Sequence, residues 1–152
     1  MAYWLLKTEP AECSIEDLAA QPGKPVVWEG VRNYQARNFL RQMQVGDEVL
    51  IYHSSCKLIG VAGVARISAS AYPDPAQFKA GSAYFDPKSS PEAPRWDAVQ
   101  LMFVKKFSRI IPLDEIKANP GLVDLALVKK GSRLSVMPLN EKEWREIGAM
   151  TA

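Results

Sequence analysis

The stretch Glu-Val-Leu-Ile-Tyr-His at 48–53 constrains the fold most, because both of its faces are apolar. At a strand's period of two, Val49, Ile51 and His53 share one face and Leu50 and Tyr52 the other. Both faces are expected to be at least partly buried. A turn at Cys56-Lys57 leads into a second strand at 58–67, which predicts a β-hairpin. Gly60 and Gly63 within it mark a bulge or the close approach of another backbone. Residues 99–107 are almost continuously apolar and read as a central strand; 3–7, stopped by Glu9-Pro10, is too apolar for a water-facing edge. Residues 26–28 form a brief extended segment, and 133–137 read as the final strand.

Short helices are interleaved with these strands. Ser14 with Asp17, and Asn140 with Glu143, are capping-box-like pairs, the second opening a terminal helix that sets Trp144 and Ile147 against the body. A further helix starts near Asp114 and breaks at Pro120-Gly121, and 122–128 reads as another. Strands mixed with short helices predict an α+β fold around a small curled antiparallel sheet rather than a parallel α/β one.

At 152 residues the expectation is one domain, 1–152, with one core large enough to need neither disulfide nor metal. Cys13 and Cys56 lack CxxC spacing, and with one histidine they offer no zinc set. The N-terminus lacks the pattern of a signal peptide and no run approaches the length of a membrane span, so a cytoplasmic protein with free thiols is expected.

Chemistry is expected at 28–41, where a glycine-punctuated turn enters a basic helix. Asn33 can cap that helix, Ala36, Phe39, Leu40 and Met43 form its buried face, and Arg37 and Arg41 project together from another. Trp28 and Arg32 then stand just ahead of a helix start that prefers anions. The net charge of +2 hides clusters at Arg32, Arg37 and Arg41, at Lys105, Lys106 and Arg109, and at Lys129, Lys130 and Arg133. Brought to one side they would suit a phosphate backbone; scattered, they only solubilise. Five prolines between 72 and 94 mark a surface loop, and Tyr84-Phe85-Asp86 within it favours a lid lying on the body.

The runs 3–10 (YWLLKTEP), 28–41 (WEGVRNYQARNFLR), 46–54 (GDEVLIYHS), 72–75 (YPDP), 84–87 (YFDP) and 133–136 (RLSV) resemble the EVE domain family along essentially the whole chain. Thr8 departs from the serine common in that family but keeps a hydroxyl. The resemblance implies a PUA-like pseudo-barrel related to the YTH domain, a pocket accepting a modified base, and no catalysis.

A protein that reads one unstacked base needs aromatic faces, donors and acceptors for its edge, and cations for the flanking phosphates. Trp28 and Tyr52 are the candidate faces; Asn33, Asn38, Ser54 and Ser135 are the candidate edge readers, with Asn33 equally a cap. His53 leans towards pocket lining, Arg133 and Ser135 close the pocket from the opposite side, and Lys7 joins them or meets phosphate. Arg32 belongs to the same pocket, while Arg37, Arg41, Lys105, Lys106, Lys129 and Lys130 are the candidate phosphate contacts, and Tyr84 and Asp86 the candidate lid residues. The expected partner is DNA or RNA carrying a modified cytosine or adenine, bound by a monomer without cofactor, metal or membrane. Two other readings stand beside it: a small-metabolite or protein-interaction module using the same pocket, and an enzyme built on His53 and Cys56. The latter lacks a third group to orient the pair.

Overall fold

Two strands from opposite halves of the chain, β4 (Gly60–Pro73) and β5 (Asp97–Pro112), form the long antiparallel ribbon on which the rest is assembled. The computed structural model describes residues 1–131 and 134–151. With β1 (Tyr3–Thr8), β2 (Val26–Trp28), β3 (Glu48–His53) and β6 (Val136–Leu139) they make one sheet in the order β2-β5-β4-β3-β1-β6. The sheet is not closed into a barrel: β2 and β6 stand at its two ends. The expected hairpin is β3 with β4. One pairing departs from the antiparallel expectation: β1 runs parallel to β3, with Tyr3 opposite Glu48 and Thr8 opposite His53.

The period-two pattern of β3 divides the core into two layers. Val49 and Ile51 pack with Trp4, Leu6, Ala65 and Leu101 beneath α1 (Ile15–Ala19) and α2 (Tyr34–Gln42), which contribute Ile15, Leu18, Ala36 and Leu40. Leu50 and Tyr52 pack on the other side with Leu5, Val64 and Ile111 under α3 (Leu113–Ala118) and α4 (Glu141–Ala149). Fully burying such aliphatic side chains stabilises by about 1.5–3 kcal/mol each, so the double-sided strand is the spine of the fold. The capping boxes at Ser14 and Asn140 are both formed, and Asn33 caps α2 by accepting from the Ala36 N–H at 3.0 Å.

Three boundaries differ from expectation. β4 and β5 outrun their apolar cores because four register shifts along the ribbon let it bend past the sheet. The helix expected at 122–128 is two 3-10 turns, Pro120–Leu122 and Ala126–Val128, since Pro120 and Gly121 break the α register at its start. The last strand begins at Val136 and carries Pro138, tolerated because β6 is an edge.

Members of the first two of the three basic groups are taken up in ion pairs. Arg41 pairs with Asp97 at the start of β5, Lys106 with Glu16 at 3.3 Å beside α1, and Arg109 with Glu115 at 2.8 Å near the far end of β5. These pairings partly neutralise the first two groups.

Candidate functional site

Because β1 and β3 are parallel, both leave the sheet on the same rim, where Thr8 and Ser54 meet. The Ser54 N–H donates to the Thr8 carbonyl at 2.8 Å, the Thr8 hydroxyl donates to the Cys13 carbonyl at 2.9 Å, and the Lys7 N–H donates to the Ser135 carbonyl at 2.9 Å. These bonds stitch the end of β1 to the segments on either side. Above the rim opens a cleft of about 800 Å³ lined on one side by Lys7, Thr8, Glu9, Ser54 and Ser135 and on the other by Trp28, Gly30 and Arg32. Glu12, Cys13, Val27, Glu29, Val31 and Tyr84 complete it.

The wall from Trp28 to Arg32 is held by one carboxylate. Asp74, with no exposed surface, accepts from the Gly30 N–H at 2.8 Å and from Arg32 Nη1 at 2.9 Å through Oδ2. Its Oδ1 takes the Ala76 N–H at 2.7 Å, capping the 3-10 turn Pro75–Phe78. Arg32 continues across the cleft's roof, donating through Nε and Nη2 to the Tyr84 carbonyl at 3.2 and 2.7 Å. Gly30 has φ +86°, and a Cβ there would fall 2.7 Å from the Tyr84 ring, so the close approach of strap and wall requires glycine. The Tyr84 hydroxyl donates to Glu12 at 2.7 Å; that bond and burial push the phenol up to about 12.

The proline-rich segment is thus an ordered strap. Its centre is Gln77, fully buried, whose Nε2 donates to the carbonyls of Asp74 and Trp96 and whose Oε1 accepts from Ser89 and from the N–H groups of Arg95 and Trp96. Of the two expected lid residues only Tyr84 lines the cleft; Asp86 accepts from Trp96 Nε1 at 2.7 Å and anchors the strap.

Lys7, Trp28, Arg32, Ser54 and Ser135 come together as expected. Trp28 is only 7% exposed: its ring belongs to the core layer under α2 and its remaining surface faces the cleft. Four expected pocket residues lie elsewhere. Asn33 is spent on the α2 cap, and Asn38 is exposed on that helix, accepting from Arg37 at 2.9 Å. Tyr52 points to the opposite layer, as its place on the Leu50 face requires. His53, 5% exposed, accepts the Ile15 N–H through Nε2 at 3.1 Å and so fixes the start of α1. Arg133 lies outside the described residues.

Of the phosphate candidates, Arg37 donates to the Arg95 carbonyl at 2.9 Å, Lys105 projects from exposed β5 over Phe107, and Lys129 and Lys130 border a separate cleft. Sequence reasoning missed Glu9, Glu12, Cys13, Asp74 and Gln77. Asp74 was legible in principle, since aspartate before Pro75 is a cap signal; a buried glutamine organising a loop has none.

The His53 contact has a consequence for stability. Burial pushes its imidazole below the ordinary value of 6.5, only partly opposed by Glu16 and Asp17. A group whose value is lowered by folding contributes stability present above the unfolded pKa and lost as pH falls through the folded one. The urea midpoint should therefore decline as pH drops below about 6.5, as protonation removes the Ile15 acceptor. His53→Gln should flatten that decline, and an equal decline in the variant would remove His53 as its source.

Glu9, Glu12 and Glu29 outnumber Lys7 and Arg32 along the cleft, and burial holds the Lys7 ammonium below its usual range. Among the described residues no group of His, Cys, Asp and Glu could hold a metal ion, and no helix is long and apolar enough to cross a membrane. The site is a concave, polar-edged slot with one indole at its back.

The model of the EVE domain matches residues 2–150. Human thymocyte nuclear protein 1 is 42% identical over 159 residues, covering 94% of this chain and 71% of that protein. A crystal structure of a Pseudomonas putida protein superposes with a TM-score of 0.97 at 51% identity, over 99% of this chain and 100% of that one. A crystal structure of human THYN1 protein in complex with 5-methylcytosine-containing DNA superposes with a TM-score of 0.93 at 39% identity, over 99% and 98% of the two chains. With the family's model spanning nearly every residue and the same fold in its relatives, the chain belongs to the EVE domain family.

Proposed function

We propose that this protein binds nucleic acid and reads a modified base, 5-methylcytosine in DNA being the first candidate, without catalysing a reaction. The observation that carries this reading is the cleft's make-up: an indole face together with carboxylates, hydroxyls and an ammonium in a volume of about 800 Å³. Cytosine's edge offers an exocyclic amine that a carboxylate accepts and ring acceptors that hydroxyl and ammonium groups satisfy. Glu9, Glu12 or Glu29 suits the first role, and Lys7, Ser54 and Ser135 the second. The side chains of Val27, Val31 and Cys13 add apolar surface where a methyl group can be buried. The complex of the related human protein supports the choice of ligand. A base enters such a slot only after leaving its stack.

Binding without chemistry fits the same residues. His53 is committed to a backbone N–H, and burial pushes the Cys13 thiol up, away from the thiolate that a nucleophile requires. Fluorescence anisotropy should find short DNA carrying 5-methylcytosine bound more tightly than its unmodified twin, with affinity falling as salt rises. Because Trp28 is also a core residue, Trp28→Phe is the informative variant. It should weaken methylated DNA by about five- to tenfold, corresponding to roughly 1 kcal/mol of stacking. Equal affinity for both oligonucleotides in the wild type would sink the reading.

A further inference from the structure

A second cleft of about 590 Å³ opens on the other side of Lys7, and its charge is the opposite of the first. Ten residues line it, and the four charged ones among them, Lys7, Lys117, Lys129 and Lys130, are all lysines. Leu113, Val123, Leu127 and Val128 give it apolar surface, and Tyr52 also lines it, with the Lys7 ammonium 5.8 Å from the Tyr52 ring centre. Lys117, Lys129 and Lys130 are exposed, and among the described residues the one ion pair that any of them makes is Lys129 with Asp124, at the long distance of 3.9 Å. It is built by α3, the 3-10 turn Ala126–Val128 with residues 123 and 129–131 around it, and the ends of β1 and β3, and through Lys7 it shares its partition with the candidate base cleft.

The two clefts differ in what they can accept. The first carries three carboxylates, and its Arg32 is already paired with Asp74; a phosphodiester placed there would meet mostly like charge. The second is lined by four lysines and by aliphatic side chains, with no carboxylate among its lining residues. That combination suits an anion with an apolar part attached, such as the sugar and phosphate of a nucleotide chain, better than a bare hydrated ion.

We infer that the lysine cleft carries the sugar–phosphate backbone of the nucleic-acid strand that flanks the base held in the first cleft, with Lys7 as the partition between base and backbone. This rests on the nucleic-acid reading above and goes beyond it by assigning the strand a path across the protein. It also separates Lys129 and Lys130 from Lys105 and Lys106, which lie on β5 away from this cleft, and adds Lys117, which no motif marked.

The test compares two double variants of the whole chain, Lys117→Gln/Lys130→Gln and Lys105→Gln/Lys106→Gln, in anisotropy titrations over a range of salt with methylated and unmethylated DNA oligonucleotides. Each phosphate that is no longer neutralised should reduce the slope of log affinity against log salt by about 0.7–0.9. The first variant should lose about one to two units of slope and about tenfold in affinity at low salt, equally for both oligonucleotides, so that the preference for the methylated one survives. The second should keep the wild-type slope. An unchanged slope in the first variant, or an equal fall in both, overturns the assignment and leaves the base reading standing. A wild type that binds DNA without preferring the methylated oligonucleotide, but whose slope falls only in the first variant, removes the base reading and keeps the backbone path. A wild type with no salt-dependent binding removes both.

Discussion

Asp74→Ala is expected to lower the stability of the protein by about 3–5 kcal/mol and to abolish ligand binding in the cleft. The fully buried carboxylate holds three groups at once: the Gly30 N–H, the Ala76 N–H and the guanidinium of Arg32. Removing it leaves two backbone donors without partners, at about 1–3 kcal/mol for each that water cannot reach. Arg32 keeps 22% of its side chain exposed and so recovers part of its solvation, which places the expected loss towards the lower end. Asp74→Asn should sit between the wild type and the alanine variant, since an amide oxygen still accepts but no longer carries charge. Urea denaturation measures both. A loss below about 1 kcal/mol in the alanine variant would show that the wall from Trp28 to Arg32 stands without this strut.

Gly63→Ala should be strongly damaging, costing about 3 kcal/mol. A Cβ at that position would lie 2.4 Å from the Lys105 carbonyl oxygen and 2.7 Å from the Ile15 side chain. The first is backbone in the β4–β5 ladder and the second is fully buried in the core layer, so neither can step aside. The added methyl must therefore open the ribbon at its bulge or lift α1 from the sheet. Thermal melting distinguishes this from a local effect: Gly81→Ala, where nothing lies within 4 Å, should melt as the wild type does. Similar melting of Gly63→Ala and the wild type would mean that the ribbon can shift register at little cost.

Glycine spacing also shows how much could be read from the chain alone. Gly60 and Gly63 announced the close backbone approach, the alternation in 48–53 announced layers on both faces, and the capping pairs placed α1 and α4 to within a residue. The site was half legible. Trp28 and Arg32 follow from their place beside a turn, whereas the parallel pairing that brings Ser54 to Thr8 depends on contacts between distant segments that no local pattern encodes. His53 misled for a related reason: a lone histidine at a strand end looks free until the helix that it caps is packed against it. The pairing within the charge clusters was not legible, because spacing along a strand says nothing of which acid waits opposite, as Glu16 does for Lys106.

The placement of β1 between β3 and β6 joins the two ends of the chain. One flank of β1 can be satisfied early, by β3, but the other waits for residues 136–139. Such long-range pairing is slow, because loop-closure entropy must be met before the contact forms. During synthesis the apolar first strand thus stays half-open until residues 136–139 have emerged and paired with it. Since the Lys7 N–H donates to the Ser135 carbonyl at 2.9 Å and both residues line the cleft, that side of it is finished only when the segment leading into β6 has docked on β1.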